Sequence, residues 1–562
     1  MLTDIVKWKN YKDLDETLKK ELDSFTEEDY YEAFYTDLAF GTGGMRGILG
    51  PGTNRMNIYT MRRANYGYGQ YILQTKKANP SVVIAYDCRH NSRLFAEESA
   101  RVLATMGIKV LLFDKITPTP ELSFAVRELK ATGGIVITAS HNPPNYNGYK
   151  IYDDFGCQLV PDLADIVIDE IAKAPDAFQI DVESFASLKQ KGYIEIVDDS
   201  IDTAYLNKVK SIRVHPDLNK ENFLVVFTPL HGTSSLLGQR LLQETGYSCI
   251  PVVEQMVADP NFSTVSSPNP ENKEAFDLAI TYAKKHHADI CIATDPDADR
   301  MGIAVYHQGN YVLLTGNQTG AILIQYLAKY RTLKKKGVLF NTIVTSPLGA
   351  AIARKYHLDV ISTLTGFKYI GEQAKLLENT EREFFFGYEE SYGYVVSDFV
   401  RDKDSLQALL LCSEVACYYK NQGKTLVDVL EEIYQEYGYY HDHLINITLT
   451  GASGAQKIEE ILNYFHNEKQ SNFQGLKIVA KEDYLLQQRF ENNQTTKLAL
   501  PKANVIKYFL DDGSWFVLRP SGTEPKMKVY ISVVTNSRHD SILRSKEIEQ
   551  KVMELINHIK GE

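Results

Sequence analysis

The chain has 562 residues, 44% of them hydrophobic and 24% charged, and carries a net charge of −11 at neutral pH. This balance is ordinary for a globular protein with ample core. At ~150 residues per domain it predicts three or four domains. The acidic surplus excludes a general nucleic-acid or membrane-surface binder, which needs a basic face. Any bound anion must meet cations gathered locally.

Six scattered cysteines, Cys88, Cys157, Cys249, Cys291, Cys412 and Cys417, form no Cys-x-x-Cys pair. They read as reduced core thiols rather than as a zinc site or a disulfide framework. The first residues, "MLTDIVKWKNYKDLDETLKKEL", are charged and helix-like, unlike a signal peptide. No apolar run reaches ~18 residues, so no membrane span is expected; reduced core cysteines are the mark of a cytoplasmic protein, the location expected here.

One pattern then recurs three times. "VVIAY" (82–86) is a strand, the polar loop "DCRHNS" follows, a helix runs to Met106, and "IKVLLF" (108–113) is the next strand. The second copy is "FLVVFTP" (223–229), "LHGTS", a helix to Thr245 and "CIPVV" (249–253). The third is "VLFNTIVTS" (338–346), the helix "LGAAIARKYH" and "DVISTLT" (359–365). Apolar runs of this length joined by amphipathic helices predict parallel sheets covered on both faces. Three copies predict three related α/β domains in series. After "EYGYYHDH" (436–443) the pattern changes. A helix at "AQKIEEILNYFH", strands at 515–518 and 527–535 and a last helix predict a smaller α+β unit. The expected limits are 1–210, 211–318, 319–438 and 439–562.

Four loops carry candidate chemistry. "ITASHNPPNYNGYK" (137–150) leaves an apolar strand, and ligand sites of α/β sheets lie at such strand ends. Pro143 and Pro144 stiffen it around Ser140, whose exposed hydroxyl suits a nucleophile or a phosphorylated serine; a turn-capping serine is the plainer alternative. His141 is adjacent in an extended chain, where neighbouring side chains point apart, so no Ser–His pair is expected. "DPDADR" follows another apolar strand. Asp295, Asp297 and Asp299 alternate and can converge, and their repulsion calls for a hard cation, Mg²⁺ or Ca²⁺. An EF-hand is ruled out, since Arg300 and Tyr306 stand where it needs glycine and glutamate. "GYEESYGY" (387–394) offers Glu389, Glu390 and Ser391 to sugar hydroxyls, or is a glycine-rich hairpin with exposed acids. "RPSGTEPK" (519–526) places Arg519, Ser521, Gly522, Thr523 and Lys526 as a phosphate cradle, or is a turn with flanking bases. Nucleophile, metal, hydroxyl acceptors and phosphate clamp, one per predicted domain, describe phosphoryl transfer on a phosphorylated sugar.

These motifs resemble the α-D-phosphohexomutase superfamily from end to end: "TASHNP" its phosphoserine loop, "DPDADR" its metal loop, "EESYG" its sugar loop and "RPSGTEP" its phosphate loop. "FGTGGMRG" (40–47) resembles its N-terminal motif, whose arginine, here Arg46, lies near the phosphoserine. The resemblance implies three related mixed α/β domains and a C-terminal α+β domain around a central cleft. Glu-Glu-Ser, an aromatic and glycine are similar to the phosphoglucomutase loop. The phosphomannomutase-type loop reads Gly-Glu-Met-Ser-Gly-His, and Gly393 stands where that histidine would be. Tyr388 replaces a glycine common before Glu-Glu-Ser. The long form resembles a branch holding bacterial phosphoglucomutases and phosphopentomutases.

What the resemblance implies is exchange between glucose 1-phosphate and glucose 6-phosphate through phospho-Ser140, with glucose 1,6-bisphosphate as intermediate and activator. One Mg²⁺ per chain would be held by Ser140, Asp295, Asp297 and Asp299. Arg46 and Arg300 would assist, and Thr365, Gly366, Glu389, Ser391, Arg519, Ser521, Gly522, Thr523 and Lys526 would bind substrate. Lys150 and Lys403 are the candidate proton carriers, with Arg46 and Arg300 expected to lower their pKa; their other reading is as fixed phosphate-binding charges. The partner would be a small phosphosugar, and the protein a monomer or homodimer. Pentose or mannose substrates, a phosphatase and a silent sugar-phosphate binder are the competing readings.

Overall fold

A computed structural model describes residues 1–41, 44–449, 451–468, 472–473, 475–520 and 526–560. The helix-like N-terminus forms two helices, Leu2–Asn10 and Glu16–Asp23. The break falls where Asp15 turns its carboxylate onto the backbone N–H groups of Thr17 and Leu18 to cap the second helix. A third helix, Glu27–Phe34, completes a small aromatic cluster around Trp8, Phe34 and Tyr59.

The chain divides into two compact units. The first comprises 1–316, 331–337 and 367–425; the second comprises 317–330, 338–366 and 426–562. In the first unit, Ser81–Tyr86 lies between parallel neighbours Lys109–Leu112 and Gly133–Ile137. These are the first predicted repeat and the strand that feeds the serine loop. The sheet is mixed rather than wholly parallel, because Tyr146–Tyr152 runs back antiparallel beside Gly133–Ile137 and Gly44–Ile48 adds beyond it. Eight residues separate Ile137 from Tyr146, too few for the crossover a parallel return requires. Gly133 has a packing reason. A Cβ there would lie 2.1 Å from the hydroxyl of buried Tyr68, which donates to the carbonyl of Tyr152 at 2.8 Å.

The second repeat gives a sheet of the same build. Leu224–Thr228 pairs in parallel with Ser248–Pro251 and Ile290–Thr294, and Met301–His307 returns antiparallel after the six-residue acidic loop. The buried strand interiors, Val225 to Thr228 and Ile290 to Thr294, explain the continuous apolar runs read from the sequence.

In the second unit, Val338–Thr342 and Asp359–Thr363 pair in parallel, as the third repeat predicts. Its C-terminal part is an antiparallel sheet built on the ten-residue ladder of Tyr439–Thr448 against Lys526–Thr535. Trp515–Pro520, Ile506–Leu510 and Leu476–Asp483 continue it. Helices Gly451–Asn467 and Arg538–Lys560 supply Ile461, Phe465, Ile548 and Val552 to its core. All six cysteines are free, five of them buried. Among the described residues no helix is long and apolar enough to cross a membrane.

Candidate active site

Ser140 follows the buried strand Gly133–Ile137 but is not itself exposed: its relative accessibility is 4%. Its φ is +50°, a left-handed conformation costing about 1–2 kcal/mol for a residue with a Cβ. The Ser140 N–H donates to Thr138 Oγ1 at 2.8 Å. The side chain donates from Oγ to Asp295 Oδ2 at 2.6 Å, and His141 Nδ1 lies 3.0 Å from the same Oγ. Two sequence expectations are thereby corrected. The hydroxyl is buried, and the adjacent histidine does pair with it. The extended geometry that would turn the two side chains apart is lost when Ser140 turns left-handed. Burial, with Arg300 and Arg46 nearby, holds the His141 ring well below the usual histidine range, so it is neutral near pH 7.

Asp295, Asp297 and Asp299 are buried, each offering an oxygen within 4.8 Å of the others. Asp295 Oδ1 organises its own loop, accepting from the N–H groups of Asp299 at 3.0 Å and Arg300 at 2.8 Å. Asp297 Oδ2 accepts from Lys150 Nζ at 2.8 Å and Thr119 Oγ1 at 3.0 Å. Asp299 Oδ2 accepts from Lys150 Nζ at 3.2 Å and pairs with Lys403 Nζ at 3.1 Å. Burial and the two neighbouring carboxylates hold Asp295 well above the usual carboxylate range. Burial also pushes Asp297 and Asp299 up, but Lys150 and Lys403 outweigh it and both fall below that range. Asp297 Oδ1 and Asp299 Oδ1 are buried without a hydrogen-bond partner. Such orphaned anionic oxygens are costly. Oxygen-only donors converging this closely fit a hard divalent cation.

The lysines answer these carboxylates. Burial would lower Lys150, but Asp297 and Asp299 push it up to about 12; Lys403 is likewise raised, by Asp299, Asp402 and Glu389. The expected lowering by Arg46 and Arg300 is therefore not met, because the carboxylates dominate the local field. Gly393, in the histidine position of the other loop type, now has an explanation. A Cβ there would come 2.1 Å from Lys403 Cδ, so the missing side chain is the room through which Lys403 reaches Asp299. Glu389 is buried rather than an exposed hairpin acid, and its N–H donates to Gly393 O at 2.9 Å. Ser391 is half-buried in the same turn. Arg300 pairs with Glu271 and is held charged. Arg46, on Gly44–Ile48, sits opposite Gly148 in the register with Tyr146–Tyr152.

The remaining sites read from sequence lie in the second unit. Thr365 and Gly366 precede the helix Phe367–Leu376, Gly366 with φ +118°. Arg519 is the next-to-last residue of the strand Trp515–Pro520, its Nη1 3.5 Å from the Tyr530 hydroxyl, and exposed Lys526 opens Lys526–Thr535. Ser521, Gly522 and Thr523 fall outside the described residues. Sequence reasoning passed over Thr119 and Glu271. Thr119, in "TPTP", opens the helix Thr119–Glu128 at the end of the first repeat, and its position there was the available signal. Glu271, in the segment between the second repeat and the strand Ile290–Thr294, carries no local signal.

Comparison with known proteins identifies the family. Phosphoglucomutase/phosphomannomutase alpha/beta/alpha domains I, II and III match residues 37–177, 203–309 and 315–437, and the C-terminal domain of that family matches 444–543. A phosphoglucomutase of Staphylococcus haemolyticus is 39% identical over 559 residues, 99% of each chain. One of Staphylococcus aureus is 41% identical over 506 residues, 89% of this chain and 90% of the relative. The fold is similar to that of pp63/parafusin, a phosphoglucomutase from Paramecium, in its open form (TM-score 0.70, 18% identity, 94% of this chain and 96% of that one). A phosphoglucomutase/phosphomannomutase family protein from Burkholderia thailandensis superposes with TM-score 0.67 at 17% identity, over 93% and 97% of the two chains. With four domain matches in order and relatives of this identity over nearly the whole length, the chain belongs to the phosphoglucomutase/phosphomannomutase family of the α-D-phosphohexomutase superfamily.

Proposed function

We propose that the chain interconverts α-D-glucose 1-phosphate and glucose 6-phosphate through a phosphorylated Ser140. The observation that carries this is the hydrogen bond of Ser140 Oγ to Asp295, in a buried cluster of three carboxylates flanked by two lysines. The near full-length identity to phosphoglucomutases supports it. Mg²⁺ would be held by Asp295, Asp297, Asp299 and an oxygen of the phosphorylated serine, and when bound it supplies charge neutralisation at the moving phosphoryl group.

The 6-hydroxyl of bound glucose 1-phosphate attacks the phosphorus of phospho-Ser140. The P–Oγ bond breaks, the hydroxyl proton is released, and Ser140 Oγ takes one up. The resulting 1,6-bisphosphate reorients, Ser140 Oγ gives up its proton as it attacks the phosphorus of the 1-phosphate, the P–O1 bond breaks, O1 takes up a proton, and glucose 6-phosphate leaves. Lys150 and Lys403, held protonated by their carboxylates, act as fixed charges on the phosphoryl group and as proton donors to the leaving oxygen. Arg46 and Arg300 add positive potential. Glu389 and Ser391 accept from sugar hydroxyls, Thr365 and Gly366 bind the substrate, and Arg519, Ser521, Gly522, Thr523 and Lys526 hold the phosphate that is not reacting. We assign the functional segments to 1–210, 211–318, 319–438 and 439–562.

The test is turnover of glucose, mannose and ribose 1-phosphates, each with its bisphosphate. Glucose 1-phosphate is expected to lead in kcat/KM by at least ~10-fold, since a site built to bond particular hydroxyls rejects sugars that misplace them. Faster ribose or mannose turnover would overturn the assignment.

A further inference from the structure

In the polar loop after Ser81–Tyr86 lies an arginine the mechanism does not use. Arg89 is 4% exposed, and its guanidinium donates to four carbonyls of the serine loop. Nη2 reaches Ser140 O and Asn142 O, each at 2.5 Å; Nη1 reaches Pro143 O at 2.9 Å and Tyr146 O at 3.1 Å. Asp87 Oδ2 lies 3.4 Å from its Nε, and the Phe262 ring stacks on it at 5.0 Å. Asp87 is itself fixed, its Oδ1 accepting from Ser92 Oγ at 2.6 Å and from the Arg89 N–H at 3.0 Å. Next door, Asn147 Nδ2 donates to the His90 carbonyl at 2.9 Å, tying the two loops a second time.

We propose that Arg89 is a positioning residue that holds the serine loop in its reactive shape, fixing the left-handed backbone of Ser140 by gripping its carbonyl and three beyond it. A planar fork of five donors can satisfy four acceptors from one point, which lysine cannot. Without it, four carbonyls of the loop lose a donor, Pro143 O keeping the Tyr146 N–H at 3.0 Å, and Ser140 is free to relax toward an ordinary backbone. Oγ would then swing away from Asp295. Phosphoryl transfer depends on in-line placement, and a displacement near 1 Å is enough to cost ~100-fold. All four guanidinium bonds of Arg89 go to backbone carbonyls, so the loss should fall on kcat.

The inference rests on the reading of Ser140 as the phosphate carrier, and the experiment separates the two. Arg89→Ala, Arg89→Lys and Ser140→Ala are purified with the full chain and checked for fold by circular dichroism. Measured next are kcat, KM for glucose 1-phosphate, and the rate at which glucose 1,6-bisphosphate phosphorylates Ser140. Arg89→Ala is expected to lose about 100-fold in kcat and in the phosphorylation rate while KM changes less than about 3-fold. Added guanidinium ion should restore part of the loss in Arg89→Ala and nothing in Ser140→Ala. Arg89→Lys is expected to remain at least ~10-fold down, and it decides the matter if Arg89→Ala does not fold. An inactive Ser140→Ala beside Arg89 variants of normal kcat overturns the clamp alone. An active Ser140→Ala overturns both readings.

Discussion

Two loops meet at the site, and they are held in different ways. The metal loop is pinned by its own carboxylate and by distant backbone: Asp295 Oδ1 binds the N–H groups four and five residues ahead, the carbonyls of Pro296, Asp297 and Ala298 accept from the N–H groups of Thr233, Thr119 and Ser405, and the left-handed residue is Ala298, which offers no reactive atom. The serine loop places its strain on the reactive residue itself, and its carbonyls are gathered by Arg89, 51 positions earlier. Both leave a buried strand and return antiparallel within a few residues. One stores charge, which neighbouring lysines balance. The other stores backbone strain, which Thr138 and a distant side chain maintain. Both loops draw on the rest of the first unit, the acidic loop through backbone N–H groups and the serine loop through a distant guanidinium.

The largest expected effect falls on the strained loop. Ser140→Ala removes the proposed acceptor of the phosphoryl group and should lower kcat by at least ~1000-fold with the fold retained, and intact mass should show a phosphate adduct on the native protein and none on the variant. Asp297→Asn tests the charged loop. It removes an anionic oxygen from the candidate cation site, and both activity and the rise in Tm on adding Mg²⁺ should shrink. Without Mg²⁺ the variant should lose little stability, because one mutual repulsion goes with the lost contact to Lys150. A Tm rise equal to that of the native chain would break the contrast.

A milder probe is Gly393→Ala. The new methyl group meets Lys403 Cδ and should push the ammonium off Asp299. About 10-fold in kcat is expected, with the larger part at alkaline pH if Lys403 donates a proton. The smallest effect compares two histidines. His141, beside Ser140, is held neutral. His466 faces acceptors at both nitrogens, Asp483 Oδ2 at 2.7 Å and Asn504 Oδ1 at 2.8 Å. Burial opposes its charge, but these bonds outweigh it and raise its pKa. A raised folded-state pKa means that folding takes up a proton. The stabilisation is complete below the unfolded value near ~6.5 and fades as pH rises through the folded one. His466→Asn should therefore cost about 1 kcal/mol in denaturant unfolding at pH 5.5 and much less at pH 8.5; equal losses at both would remove the linkage.

These differences also explain what could be read in advance. The strands of the three repeats follow from apolar runs and are where the sequence places them. The metal loop is equally legible, since three alternate carboxylates after a buried strand have few other uses. The antiparallel returns were missed because apolar runs announce a strand and not its direction. The ladder Tyr439–Thr448 hid in residues read as a boundary, "EYGYYHDH", since half-buried tyrosines and histidines lack a clean alternation. The geometry of Ser140 was misjudged for a deeper reason. Its φ depends on contacts with Thr138 and with Arg89 half a hundred residues away, and no local spacing encodes them. The fate of the lysines turned on which charges lay nearest, a distance question that sequence order does not answer.

The burial of Ser140 bears on how long the phosphorylated form survives. A phosphate ester at an open strand end would be lost to bulk water between encounters with substrate. Ser140 is 4% exposed, with its oxygen enclosed by Asp295 and His141, so an ester formed there would meet few solvent molecules in attacking position. On the proposed mechanism each leak to water would empty one enzyme molecule until a bisphosphate refilled it. The ratio of sugar transfer to hydrolysis would then set how many turnovers one charging supports, and a buried serine would lengthen that run without any faster chemistry.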